Sequence, residues 1–280
     1  MKKKSIKMII LALVATMTTG LLVGCGGKDN EGSDTGKDVT IKISGSTSIG
    51  PLMEKEAEAY KGKNSNVNIE VQQIGSSAGI KNAIEGVSEI GMASRELKEQ
   101  EKAEVIETVI AYDGIAIVIH PANAVTNLTM EQVKGIYTGK IKNWKEVGGK
   151  DSPVVVVSRD ESSGTRDAFQ ELVGFKSEEL EKTATISDGN GNVKTTVATN
   201  ENAVGYISFE QVDSSIKALN VENVEATPAN VINKTYKISR PFLVVYKEKG
   251  ITEAGKKFID YILSEEGQGL VEKSGGIKVK

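Results

Sequence analysis

The sequence predicts an α/β fold with mainly parallel sheets. Apolar and polar residues alternate in segment 39–44, which is the pattern of a half-buried strand. The apolar run 114–119 has the length and composition of a strand buried on both faces. Such segments alternate with helix patterns along the chain, and this alternation is typical of α/β proteins. Periodicity alone leaves open whether they form one large sheet or two lobes.

The predicted elements follow one another in a regular order. Strands are predicted over 39–44, around 67–71, over 114–119, 154–157 and 203–208, and near 241–246. Helices are predicted over 51–60, around 80–84, after Thr129, through 169–172, and over 253–263 and 265–273. Pro51 suits the first turn of its helix and Thr129 suits an N-cap. The acid-rich segment 96–107 is predicted as a solvent-exposed helix, and 187–191 as a turn before a helix.

Composition argues against several classes of protein. The 280 residues carry 35 basic and 38 acidic side chains, so there is no basic excess for binding a nucleic acid. Aromatic residues make up only 5%, which argues against stacking platforms for single strands. One cysteine and one histidine argue against a disulfide framework and against most zinc sites. We therefore expect no metal, no cofactor and no nucleic-acid partner.

Residues 1–24 are predicted to be a secretory signal peptide. Four lysines precede an apolar stretch over 8–23, which is short for a membrane-spanning helix. A permanent N-terminal anchor helix is the alternative. The segment LVGC (22–25) resembles the bacterial lipobox, in which the cysteine, here Cys25, is lipidated and becomes the first mature residue. Residues 25–38 are polar and glycine-rich and predict a flexible tether, so we expect a lipid-anchored protein on the extracytoplasmic face of the cell membrane.

Three serine-rich turns indicate a binding site for an anion. The segments GSTS (45–48), GSS (75–77) and SSGT (162–165) each follow a predicted strand and precede a predicted helix. In α/β sheets this position is the carboxyl edge of the strands, where ligands bind. Helix N-termini offer unpaired amides there, hydroxyls add O–H donors, and Arg159 adds a charged donor suited to a tetrahedral oxyanion. Each turn alone would be an ordinary N-cap, but together they favour an oxyanion site.

Several segments resemble the phosphate-binding lipoproteins of bacterial phosphate ABC importers. They are ISGSTSIGPLMEKEAEAY (43–60), IGSSAGIKNAIEG (74–86), IGMASREL (90–97), AYDGIAIVIHP (111–121), SRDESSGTRDAF (158–169) and ISRPFLVVY (238–246). The resemblance implies a two-lobe fold like that of type II periplasmic binding proteins, with mixed, mostly parallel sheets, a ligand cleft and a hinge between the lobes. It implies that lobe 1 comprises 39–116 plus 236–280 and that lobe 2 comprises 117–235.

The resemblance also implies which residues bind phosphate. The positions that match ligands of the family are Thr47, Ser48, Ser76, Arg159, Ser163, Gly164 and Thr165. Several members place an aspartate shortly after the glycine that corresponds to Gly91, where it accepts the proton of hydrogen phosphate. This chain has Ala93 and Ser94 there instead. Ser94 is a possible ligand, and Asp113 is a candidate for the missing acceptor, with a hinge or helix-cap carboxylate as the alternative reading.

The implied function is high-affinity binding of inorganic phosphate outside the cytoplasmic membrane, by a monomer without catalysis. The phosphate would be delivered to an ABC permease and its ATPase. A receptor for sulfate, molybdate or tungstate is the first alternative, because these ions can use the same neutral donors. A serine hydrolase is a weaker alternative: GSSAG (75–79) satisfies the G-x-S-x-G pattern, but the chain offers only His120 as a base. An adhesion protein would not require three such turns.

Overall fold

The computed structural model of the chain describes residues 38–279. Its strands are β1 Val39–Gly45, β2 Val67–Gln73, β3 Ile90–Ala93, β4 Ile106–Ile119, β5 Asn127–Leu128, β6 Val155–Arg159, β7 Thr185–Ser187, β8 Ala203–Ser208, β9 Lys217–Ala218, β10 Asn220–Val221 and β11 Ser239–Tyr246. Its α-helices are α1 Gly50–Lys63, α2 Ser76–Glu85, α3 Glu99–Lys102, α4 Met130–Tyr137, α5 Gly164–Val173, α6 Asn190–Thr199, α7 Pro228–Ile232, α8 Glu253–Ile262 and α9 Glu265–Lys273.

Most strands belong to one mixed sheet with the order β2-β1-β3-β11-β4-β8-β6-β7, and β9 pairs with β4. Strand β1 runs parallel to β2 and β3, and β6 runs parallel to β7 and β8. The antiparallel pairings within this sheet all involve β4 or β11. The long strand β4 pairs with β11 through its first part and with β8 through its last part, so it joins a first lobe (β2, β1, β3, β11) to a second lobe (β8, β6, β7).

Each lobe has its own hydrophobic core. In the first lobe, α1, α8 and α9 pack on the sheet around buried residues such as Ile41, Leu52, Phe242 and Phe258. In the second lobe, the main core includes Trp144, Tyr137, Phe169 and Tyr206. Strand β4 contributes Ile110 to the first core and Ile117 to the second. The boundaries 116/117 and 235/236 stay a prediction, because β4 passes between the lobes without interruption.

The structure confirms the α/β fold and, apart from segments 96–107 and 114–119, the predicted strands and helices to within a few residues at their ends. Thr129 caps α4 as predicted, since its side chain accepts the amide of Gln132. The run 114–119 proves to be the last part of the longer strand β4. Strand β3 and the short strands β5, β7, β9 and β10 were not predicted, because two to four residues are too few to show a periodicity.

One predicted helix is wrong. Of segment 96–107 only Glu99–Lys102 is helical, and β4 already begins at Ile106. Glu101 is half-buried and pairs with Arg95, so the acidic segment is not a uniformly solvated face. The signal peptide, Cys25 and nearly all of the tether lie outside the described residues. Within residues 38–279, no helix has both the length and the apolar composition needed to cross a membrane.

The buried carboxyl of Glu56 in α1 predicts a pH-dependent stability. Its side chain is fully buried, and neither carboxyl oxygen has a hydrogen-bond partner among residues 38–279. Burial, aided by the charge of Glu266, raises the pKa of Glu56 from 4.5 to about 8. The folded state therefore holds a proton that the unfolded chain releases, and stability should fall as the pH rises from about 4.5 to about 8.

The variant Glu56→Gln keeps the shape of the side chain and removes this ionisation. We expect its free energy of unfolding to change less than that of the wild type between pH 5 and pH 8, and to exceed the wild-type value at pH 8. Urea unfolding at both pH values measures the difference. Glu58→Gln, on the exposed side of the same helix, is the matched control. Parallel pH profiles for wild type and Glu56→Gln would contradict the prediction.

Candidate functional site

The first serine-rich turn joins β1 to α1. Gly45 ends β1 with a φ of +143°, and a Cβ atom there would lie 2.2 Å from a carbonyl oxygen of β3, so only glycine fits. Ser46 Oγ accepts the amides of Ser48 at 3.1 Å and of Ile49 at 3.3 Å, which fixes the turn before the helix. The turn holds the hydroxyls of Thr47 and Ser48 at the carboxyl edge of β1.

The second turn, between β2 and α2, lies beside the end of β3. Gly75 adopts a φ of +90°, and Ser76 is the first residue of α2. Ser76 Oγ accepts the amide of Ser94 at 3.1 Å and lies 3.3 Å from Ser94 Oγ. Ser46 Oγ in turn donates to Ser94 Oγ at 2.9 Å. The two turns and the end of β3 therefore form one buried cluster of hydroxyls.

The third turn, between β6 and α5, belongs to the second lobe. Ser163 caps α5, because its Oγ accepts the amide of Arg166 at 3.3 Å. Gly164 and Thr165 occupy the first positions of the helix. Amides at these positions have no partner within the helix, and the positive end of the helix dipole lies there. This helix start is therefore suited to an anion.

The third turn contacts both turns of the first lobe. Thr165 Oγ1 lies 2.9 Å from Ser48 Oγ. A Cβ atom on Gly164 would lie 2.3 Å from Ser76 Oγ, so the approach of the lobes requires glycine here. Arg159, at the end of β6, donates from Nη2 to Thr47 Oγ1 at 3.0 Å. The structure thus brings the three turns and Arg159 together in one cleft between the lobes.

Arg159 lies in this cleft with its charge unpaired by any carboxylate of the described residues. Its side chain is 1% exposed, and its hydrogen bonds go to neutral oxygens, among them Ser187 O, Asn190 Oδ1 and Thr47 Oγ1. Burial lowers the pKa of Arg159, but an arginine remains charged in proteins. A buried positive charge surrounded by neutral oxygens favours the entry of a small anion.

Arg240 on β11 faces the same cluster, although it is not among the site residues predicted from the sequence. Arg240 is 3% exposed and donates to Ser48 Oγ at 3.1 Å and to Ser94 Oγ at 3.2 Å. It also forms a salt bridge with Asp113 at 3.0 Å. A lone charge within the apolar segment 238–246 was the signal that could have pointed to it.

Asp113 lies behind Arg240, opposite it in the β4–β11 pairing. Asp113 Oδ1 accepts from Ser208 Oγ at 2.9 Å and from the amide of Phe209 at 3.2 Å, while Oδ2 accepts from Arg240. Burial raises the pKa of Asp113, although the contacts with Arg240, Ser208 and Phe209 oppose the rise. Because both oxygens already accept from protein donors, the geometry favours an indirect role for Asp113, in which its carboxyl group holds Arg240 in place. That Asp113 accepts a ligand proton stays a prediction.

Asn190, the first residue of α6, was also absent from the predicted set. Its Oδ1 accepts from Arg159 Nη1 at 3.1 Å, and its Nδ2 donates to Ser48 Oγ at 2.8 Å. It follows β7 at the carboxyl edge of the second lobe, in the turn predicted over 187–191. Asn190 therefore links the charged arginine of one lobe to a hydroxyl of the other.

Arg95 lies at the rim of the cleft and connects the lobes by charge. Its guanidinium contacts Glu101 at 2.7 Å in the first lobe and Asp167 of α5 at 3.0 Å. Contact with both carboxylates opposes the effect of burial and raises the pKa of Arg95. Ser77 Oγ accepts from the same guanidinium at 3.3 Å. Arg95 thus pairs with acids and is not part of the hydroxyl cluster.

The hydrolase alternative finds no support in this geometry. The serine of the G-x-S-x-G pattern is Ser77, and its Oγ accepts from Arg95. His120 Nδ1 accepts the amide of Ala122 in its own loop. A nucleophilic serine needs a base within hydrogen-bond reach, and neither contact provides one. Within residues 38–279, no group of three histidine, cysteine, aspartate or glutamate side chains could hold a metal ion.

Comparison with known proteins points to one family. Residues 30–266 match the PBP superfamily domain. The phosphate-binding protein PstS of Borreliella burgdorferi is 30% identical, covering 97% of this chain and 99% of that protein. PstS of Bacillus subtilis is 31% identical, covering 100% of this chain and 95% of that protein.

Comparison with solved structures points to the same family. A Clostridium perfringens protein assigned as a phosphate ABC transporter substrate-binding protein, with bound phosphate, is 65% identical with a TM-score of 0.85, covering 86% of this chain and 100% of that chain. An ABC-type phosphate transport receptor from Vibrio cholerae is 42% identical with a TM-score of 0.73, covering 85% of this chain and 99% of that chain. The chain therefore belongs to the PBP superfamily and, within it, to the family of phosphate-binding proteins of ABC transporters.

Proposed function

We propose that this chain binds inorganic phosphate outside the cytoplasmic membrane and delivers it to an ABC permease and its ATPase. The observation that carries the proposal is the convergence of three serine-rich turns and Arg159 in one buried cleft. A tetrahedral oxyanion requires donors on several sides, and here they come from both lobes. The names of the relatives, and the phosphate bound in the Clostridium perfringens structure, support the same ligand.

The proposed ligands replace the hydration shell of the anion. They are Thr47, Ser48, Ser76, Arg159, Ser163, Gly164 and Thr165, with Ser94 as a further donor. Arg159 supplies a full positive charge, and the start of α5 supplies amides and the positive end of a helix dipole. The hydroxyls add neutral donors that need no counter-charge. These contacts offset the free-energy cost of burying a charged ion in the cleft.

Binding favours the closed arrangement of the lobes. The anion reaches all of its donors only when the lobes meet, so its higher affinity for that arrangement shifts the equilibrium towards it. Two direct contacts support closure at the rim: the Arg95–Asp167 salt bridge, and the hydrogen bond from the amide of Ser77 to the carbonyl of Ser162 at 3.1 Å. The closed form is then what the permease recognises.

The position of the protein in the cell is part of the proposal. The lipobox-like segment 22–25 supports lipidation of Cys25, and the polar residues that follow would tether the binding domain to the extracytoplasmic face of the membrane. A lipidated monomer would act next to the permease without catalysing a reaction. Mass spectrometry of the protein extracted from membranes would detect the lipid on Cys25.

Two measurements on the purified protein test the proposed function. Isothermal titration with phosphate, sulfate and molybdate should show saturable binding of phosphate to a single site. Small-angle scattering should show a smaller radius of gyration with saturating phosphate than without it, because the lobes close on the ligand. Absence of phosphate binding would contradict the function. Binding without compaction would contradict the closure.

A further inference from the structure

Arg95 is held in place by the first lobe. The two terminal nitrogens of its guanidinium donate to the carboxylate of Glu101 at 2.7 and 2.9 Å, in the bidentate geometry that arginine and carboxylates prefer. Nη1 also donates to the carbonyl of Glu96 at 2.9 Å, and Nη2 to Ser77 Oγ at 3.3 Å. Glu101 is fixed in turn, because its Oε2 accepts the amide of Lys98 at 2.8 Å. These contacts all lie within the first lobe, so they do not depend on the position of the second.

The remaining nitrogen of Arg95 faces the second lobe. Its Nε lies 3.0 Å from Asp167 Oδ2. Both atoms are buried but are not aligned as a hydrogen bond, so the contact is mainly an attraction between charges. Lys98 of the first lobe adds a second, exposed positive charge at 3.9 Å from the same oxygen. Because Arg95 and Asp167 belong to different lobes, their ion pair forms only when the cleft is closed.

Asp167 is attached directly to the anion site. Its amide donates to the carbonyl of Ser163 at 3.1 Å, in the first turn of α5. That turn begins with Gly164 and Thr165, which are proposed ligands. A contact that holds Asp167 against the first lobe therefore also holds the start of α5 over the anion.

The negative charge of Asp167 does not help to bind the anion itself. A carboxylate one helical turn from the site repels a bound anion, so direct electrostatics would favour a neutral residue at this position. An acid in the first turn of a helix stabilises the helix through its dipole, but that effect needs no cation on the other lobe. The buried guanidinium of Arg95, already fixed opposite the carboxylate, indicates that the charge serves a contact between the lobes.

We infer that Arg95 and Asp167 form a latch, an ion pair between the lobes that slows the release of phosphate from the closed cleft without touching the anion. The inference rests on the proposed function, because it specifies how release from the same cleft is regulated. Release requires the lobes to part, which breaks an ion pair in a partly buried place where charges interact strongly. The anion enters the open cleft before the pair forms. The latch should therefore act on the release rate and little on the association rate.

The variant Asp167→Asn keeps the shape of the side chain and removes its charge. We expect phosphate to leave this variant about tenfold faster than the wild type, with an association rate within about twofold of the wild-type value. Exchange of radiolabelled for unlabelled phosphate, sampled by rapid filtration, measures the release rate. The dissociation constant from equilibrium dialysis then gives the association rate. The expected sign is opposite to that of direct electrostatics, under which a neutral residue near the anion would slow release.

Two further variants test the partnership between the two residues. Glu171→Gln makes the corresponding change from acid to amide at an exposed position of α5, and it should release phosphate at the wild-type rate. Arg95→Gln removes the other half of the latch. In this background Asp167→Asn should cause no further acceleration, because the contact that it breaks is already absent. A merely structural role of Asp167 would accelerate release in both backgrounds.

The outcomes separate the latch from the proposed function. Release from Asp167→Asn at the wild-type rate or slower overturns the latch and leaves the phosphate receptor intact. Equal acceleration in Asp167→Asn and Glu171→Gln also overturns it, since the effect would then come from the charge of α5 alone. Full acceleration by Asp167→Asn in the Arg95→Gln background overturns it as well. Wild-type protein that binds no phosphate overturns the proposed function and, with it, the latch.

Discussion

Replacing Arg159 with alanine is expected to weaken phosphate binding at least about 100-fold, or about 3 kcal/mol. The guanidinium is buried, and within the described part of the chain its hydrogen bonds go to neutral oxygens such as those of Thr47 and Asn190. The anion would lose its charged partner in a cleft from which water is largely excluded, where electrostatic contacts are strong. Isothermal titration calorimetry with phosphate measures the change.

Two variants separate the loss of this charge from general damage. Arg159→Lys keeps the positive charge but lacks the planar fork, so its affinity should lie between those of the wild type and Arg159→Ala. Lys145→Ala removes an exposed cation that pairs with Asp151 in the same lobe, and it should leave the affinity unchanged. If Arg159→Ala bound phosphate with the wild-type dissociation constant, Arg159 would not be part of the binding site.

Replacing Asp113 with alanine is expected to lower the free energy of unfolding by about 3–5 kcal/mol. The salt bridge with Arg240 is almost fully buried, and the substitution leaves the guanidinium without a counter-charge. Ser208 Oγ and the amide of Phe209 lose their acceptor at the same time. Urea unfolding followed by circular dichroism measures the effect.

The exposed acid Asp151 provides the control for this result. Asp151 pairs with Lys145 at 3.0 Å on the surface, and Asp151→Ala should cost less than about 1 kcal/mol. Asp113→Asn keeps an acceptor oxygen for the neighbouring donors. Its free energy of unfolding should therefore lie between those of Asp113→Ala and Asp151→Ala. Equal unfolding free energies for Asp113→Ala and Asp151→Ala would show that the buried pair does not stabilise the fold.

The order of the elements could be read from the sequence because it depends on local patterns. Alternation over 39–44 and the N-cap at Thr129 are properties of a few neighbouring residues, and both appear in the structure. The helix predicted over the acid-rich segment 96–107 was wrong because that prediction also used only local composition. Its last residues instead pair with β11 as the start of β4. Tertiary pairing overrides helix propensity there.

The site was predictable only in part. Turns that end strands and start helices lie at one edge of a sheet, so Ser48, Ser76 and Thr165 could be grouped from their positions alone. Arg240 and Asn190 are distant in sequence from the hydroxyl they contact, by 192 and 142 residues. No local pattern reports such a contact. Arg240 also donates to Ser94 Oγ across 146 residues, which is why the sequence left the role of Ser94 open.

The chain connects the lobes through paired strands rather than through free loops. Gly114 of β4 lies opposite Ser239 of β11, so the two segments that leave the second lobe are hydrogen-bonded to each other. Such a ribbon can bend and twist, but it cannot slide, because a slip of one residue would break the ladder and turn every side chain to the opposite face. The lobes would therefore open by rotating about these paired strands and close by the reverse rotation. After the anion leaves, the same side chains would come together again in the same register.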